Sequence, residues 1–186
     1  MASRDDQDPG SLGTDGASAP DWWEDDELAA AVADVEQFAG SAGWDQPAQL
    51  FALVNTEQLI AAQPELAAQL GGTYTPIAQD PLSGGELSEA LAEISWPDEV
   101  AGCVLVQEIL VLPPEAGREL SGDPMVAAGQ AARHPDRTEA RLVAGVLRGV
   151  RGGACLLRVR GADAAPLRGA DLAPNLLTAL RMTFED

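Results

Sequence analysis

The sequence predicts an α+β fold, an antiparallel or mixed sheet of about four strands with a C-terminal β-hairpin and helices packed around it. Three observations carry that expectation. Apolar residues recur at helical spacing in several separate stretches, as in Leu28, Val32 and Val35. The run from Val100 to Leu112 has strand length and is apolar on both parities. Two β-rich runs, 139–150 and 154–161, flank the turn Arg151-Gly152-Gly153. The predicted order is α-β-α-α-β-α-β-β-α, and a hairpin beside two other strands with helices between and around them points to α+β. A chain of 186 residues is long enough for one domain with a proper core and short for two. Residues 21–186 are therefore read as a single domain, preceded by an acidic tail over 1–20.

In that tail only Met1 and Leu12 are large and apolar, too little to offset the ordering entropy, so disorder is expected. The first helix carries Leu28, Val32 and Val35 on one face, with Ala31, Phe38 and Ala39 beside them. Asp21 with Glu24 three residues on resembles a capping box, Asp25 is an equal candidate for the cap, and Gly40 is the expected end. Gln49–Val54 reads as a short strand. Thr56 is the expected cap of a helix toward Leu70, broken after Gln63 and restarted by Pro64. The stretch after Gly71-Gly72 is ambiguous, an edge strand limited by Pro76 being one reading. Leu87, Leu91 and Ile94 then form an apolar stripe, and Val100–Leu112 is the strongest strand, closed by Pro113-Pro114. Asp123-Pro124 places a cap before a proline at the first helical position of a helix to Arg133. After the hairpin, Asp171 is the expected cap of a last helix that turns Leu172, Leu176, Leu180 and Phe184 (or Leu177) inward. Strands apolar on both parities want cover on both faces, or on one face plus a partner subunit, which leaves a homodimer open.

Charge is distributed unevenly. The net charge is −19, no lysine occurs, and no basic residue lies between Arg4 and Arg118. From Asp5 to Glu115 there are 22 carboxylates, whereas Arg118 to Asp186 holds ten arginines against eight carboxylates. A field of one sign attracts partners of the other, so a protein partner with a basic surface is expected and nucleic acid is not. Without lysine there is no Walker A loop and no Schiff base; a single histidine, His134, cannot build a multi-histidine metal site. No nucleophile elbow or dinucleotide-binding glycine motif is present. No cofactor and no metal is predicted. Cys103 and Cys155 sit in apolar runs at a spacing that fits neither zinc nor a redox pair, so both are expected to be buried and reduced. The polar, acidic start and the lack of an 18-residue apolar run predict a cytoplasmic protein without a membrane span.

Two groups of side chains merit weighing. Arg133, His134, Asp136, Arg137, Glu139 and Arg141 could form an acid–base pair in an anion pocket, with Trp44 or Trp96 as a wall. The plainer reading is a helix-to-strand turn with cations at the helix end. Trp22 and Trp23 fall about 120° and 140° from Leu28 at about 100° per residue, well off the buried stripe. Either they fold back onto the core, or Trp22, Trp23, Glu24, Asp25 and Asp26 form an acidic-aromatic docking motif. The remaining arginines are read as neutralising the acidic half, with Arg158 or Arg160 as the expected partner of Glu108.

The segments 43–54, 94–114 and 134–149 resemble a family of small acidic actinobacterial proteins of unknown function, over roughly residues 26–182. The Ala/Arg/Gly-rich, lysine-free composition fits a high-GC coding bias. That resemblance implies a self-contained domain and brings no activity, cofactor or catalytic residue. The expectation for function is a non-catalytic acidic protein-interaction module. The alternative is a small-molecule binder or enzyme built on His134, Asp136 and Arg137.

Overall fold

The computed structural model describes residues 25–82 and 86–185. The acidic tail and Trp22, Trp23 and Glu24 of the docking motif lie outside them. The described chain folds around a six-stranded sheet, antiparallel throughout, in the order β2-β1-β3-β4-β5-β6. Helix α1 (Asp26–Ser41) precedes β1 (Gln49–Asn55). The short α2 (Thr56–Ala62) and a 3-10 turn (Pro64–Ala68) lead to β2 (Tyr74–Ala78), which turns back against β1. Helix α3 (Leu87–Ala92) leads into β3 (Val100–Val111). The helices α4 (Pro114–Arg118) and α5 (Pro124–Arg133) connect it to β4 (Thr138–Leu147). Strands β5 (Ala154–Val159) and β6 (Leu167–Arg168) complete the sheet before α6 (Pro174–Met182).

The alternation of side chains along β3 and β4 explains the double-parity apolar pattern. One set, including Val104, Val106, Val143 and Leu147, packs under Leu28, Val32 and Val35 of α1. The other, Cys103, Leu105, Leu142 and Val146, packs under Leu177 and Leu180 of α6 and Leu91 of α3. Both faces of the central strands are thus covered within one chain, so a second subunit is not needed to cover them. Each fully buried Leu or Val contributes roughly 1.5–3 kcal/mol. Close approach of α1 depends on Gly145, where a Cβ would lie 2.6 Å from Val32 Cγ2.

Several local expectations are corrected. The sheet has six strands instead of about four. The two additions are its edges: β2, with Pro76 in its middle, and β6, only two residues long. Neither offers the unbroken apolar run by which a strand is recognised. Asn55, not Thr56, caps α2, its side chain accepting from Glu57 and Gln58 N–H. Thr56 is buried and its hydroxyl bonds that of Thr75. The last helix starts at Pro174 with no side-chain cap, and Asp171 sits in a preceding 3-10 turn. Phe38 is 61% exposed and meets Phe51 edge-on instead of entering the core. Helix α1 runs one residue past Gly40, and Asp25 is its cap, accepting from Glu27 and Leu28 N–H. The break after Gln63 and the cap Asp123 before Pro124 are as expected. Among the described residues no helix is long and apolar enough to cross a membrane.

Candidate functional site

The α1 face of the sheet carries a row of charge. Glu108, Arg141 and Arg158 are register partners across β3, β4 and β5, so their side chains emerge side by side. Two guanidinium groups directly opposite each other repel. Glu36, on the buried side of α1, resolves this: its carboxylate accepts from Arg158 Nε at 2.6 Å and Nη2 at 2.9 Å, and lies 4.0 Å from Arg141. Glu36 and Arg141 are both buried. The Glu36 carboxylate beside it holds the Arg158 guanidinium above its ordinary value. Arg141 also lies 3.8 Å from Glu108. The guanidinium that serves Glu108 is therefore Arg141, not Arg158 or Arg160, because the strand pairing puts those two Cα atoms opposite each other.

This row clasps the loop between α1 and β1. Glu108 accepts from the backbone N–H of Asp45 at 2.9 Å and of Gln46 at 3.2 Å. Arg141 donates to the carbonyl of Gly43. The guanidiniums of Arg141 and Arg160 lie over the Trp44 ring, 4.5 and 5.5 Å from its centroid. Arg160 grips Asp45 in a bidentate pair, both contacts at 3.0 Å, and also reaches Glu139. Its hydrogen bond and charge depress the Asp45 carboxyl below the ordinary aspartate range. Every charge in the clasp has a partner, and the space beside it is about 10 Å³, room for a single water at most. Chemically the clasp fixes a loop; it presents no free group to a substrate.

The other sequence-derived candidates do not meet. His134 Nδ1 accepts the N–H of Asp136 at 3.1 Å, and Arg137 donates to the His134 carbonyl, so the group forms a self-bonded turn between α5 and β4. None of the five best-formed cavities of the described residues is lined by His134, Asp136 or Arg137. Trp44 lies on the α1 face. Trp96 lies on the α6 face, where it stacks on Phe184 at 5.8 Å and donates to Thr183 Oγ1 at 2.8 Å. The sheet separates the two tryptophans, so at most one of them can face any one pocket. Of the docking motif, Asp25 is spent as the α1 cap and Asp26 opens the helix. Among the described residues no group of three His, Cys, Asp or Glu side chains is arranged to hold a metal. Cys103 and Cys155 are buried and free, with β4 between their strands. Burial pushes the first thiol up to about 12 and the second to about 11.

Sequence reasoning missed a basic cavity at the hairpin end of the sheet. A half-open cavity of about 620 Å³ lies between the β4–β5 turn, the end of α6 and Phe184, and Arg148, Arg151 and Arg181 line it. Arg148 and Arg151 were legible as turn residues; Arg181 joins them only because α6 packs with its end toward that turn. A second, more apolar cavity of about 420 Å³ lies between β1 and Trp96.

Residues 28–185 match the family described as PPA1309-like protein. The chain belongs to that family. No curated protein and no solved structure matches the chain. The PPA1309-like match takes in all six strands, the clasp and the basic cavity, so these belong to the part of the chain that the family shares. The family's description carries no activity.

Proposed function

We propose that the protein is a non-catalytic interaction module that docks on a protein partner with a basic surface. The observation that carries this reading is α5. This ten-residue helix on the β3–β4 connection has no buried residue, and Met125 and Val126 are 83% and 50% exposed. A helix of this length is marginal in water by itself, and apolar residues on it gain by being covered. The net charge of −19 favours a cationic partner. The acidic-aromatic motif from Trp22 to Asp26 supplies anchors of the kind that dominate binding energy.

Affinity capture with the full chain, at low and high salt, tests the reading. The expected result is a specific, salt-sensitive partner that is lost from the Met125→Asp/Val126→Asp variant or from Trp22→Ala/Trp23→Ala. Capture of the same proteins by both double variants would sink it. Light scattering over a range of protein concentrations separates a foreign partner from a second copy of the chain.

A further inference from the structure

The basic cavity at the hairpin end supports an inference that goes beyond the docking reading and stands without it. Two of the arginines there, Arg148 and Arg181, are held in place by neutral hydrogen-bond partners. Arg148 donates from Nε to the Val100 carbonyl at 3.1 Å, and from Nη2 to the carbonyls of Trp96 and Pro97 at 3.2 and 2.7 Å. Its guanidinium lies 5.0 Å from the centroid of Phe184. Arg181 donates from Nη1 to the Gly152 carbonyl at 2.8 Å and from Nη2 to Thr178 Oγ1 at 3.1 Å. Carbonyls and a hydroxyl orient a guanidinium without cancelling its charge. The Nη1 group of Arg148 makes no hydrogen bond among the described residues; its nearest carboxylate, Asp98, is 3.7 Å away and fully exposed. Arg151 has no carboxylate within 4.0 Å among the described residues.

The turn adds donors. The backbone N–H groups of Gly149, Arg151 and Gly152 make no backbone hydrogen bond among the described residues. Among the described residues the lining therefore holds three arginines and one carboxylate, Glu185. That lining stands in a chain of net −19. At the clasp every arginine has a carboxylate within 4.0 Å; here, among the described residues, only Arg148 has one, the fully exposed Asp98, and Arg151 and Arg181 have none. Preoriented guanidiniums with unused N–H donors, beside unpaired backbone amides, are what an oxyanion binds. A volume of about 620 Å³ suits a small organic molecule.

We propose that this cavity binds a small organic anion through a phosphate or carboxylate group, with Arg148, Arg151 and Arg181 as its ligands. The test is an amide-resolved NMR titration of the full chain with inorganic phosphate and, separately, with succinate, at ionic strength held constant with sodium chloride. The expected result is saturable shifts confined to 148–153 and 181–185. Arg151→Gln should weaken binding about tenfold or more, the effect of losing a charge-assisted contact, and Arg181→Gln should do likewise. Arg168→Gln, on β6, should leave binding unchanged. A response to phosphate alone assigns a tetrahedral dianion, and a response to succinate alone assigns a carboxylate. Shifts that are absent for both probes, spread over the whole chain, or unaltered in Arg151→Gln overturn the proposal. Arg151 is exposed and bonded to none of the described residues, so its variant reads binding and not folding.

Discussion

Glu36 holds two arginines apart while it pairs with both, and its removal leaves Arg141 buried beside Arg158 with one counter-charge fewer. Glu36→Ala is therefore expected to cost about 3–5 kcal/mol in urea unfolding. A loss below about 1 kcal/mol would mean that water screens the row. The thiols make a second prediction. Both are raised by burial, so the folded chain keeps its protons above the ordinary thiol range while the unfolded chain releases them. Stability is then complete below about pH 8.5 and falls as pH rises toward the folded values of about 11 and 12. The double variant Cys103→Ala/Cys155→Ala should flatten the alkaline limb of a pH–stability profile. An unchanged limb would assign it to other groups. The need of Glu108 for a guanidinium could be read from its parity on an apolar strand. Which arginine answers could not, because register across β3 and β4 is set by a connection that holds two helices.

Among the elements, α1 and the hairpin were the most legible, since a helical stripe and a glycine turn are local signals. The edges were not. Strand β2 is recognised by what it pairs with, and β6 is too short to carry any period. The seat of α1 is also nonlocal: Gly145 reads in the sequence as one more small residue in an apolar run. Its meaning comes from Val32 above it. Gly145→Ala should destabilise by about 1–3 kcal/mol through overpacking. The same substitution in a Val32→Ala background should cost clearly less, because the methyl group it meets is gone. Strictly additive costs in the double variant would show that the contact is not what limits this position.

For the molecule as a whole, fold class and charge imbalance were readable from composition and period. The candidate sites were readable only in part. Trp44 and Trp96 looked interchangeable as pocket walls until the sheet placed them on opposite sides, and the basic cavity gathers residues from a turn and a helix end that no motif links. Net charge at −19 implies self-repulsion in the compact state. Raising sodium chloride from low concentration to about 0.5 M, where screening shortens to a few ångströms, should raise Tm. A falling Tm would mean that the clasp and the other ion pairs outweigh the repulsion.

The clasp also sets an order of events during synthesis. Glu36 finds its counter-ions 105 and 122 positions later in the chain, at Arg141 and Arg158, and Asp45 waits 115 positions for Arg160. A ribosome that has delivered the first helix has delivered none of these three arginines. The ion pairs that fix α1 and its loop therefore close only after β4 and β5 have emerged, whereas the apolar contacts of α1 with β1 and β3 need neither.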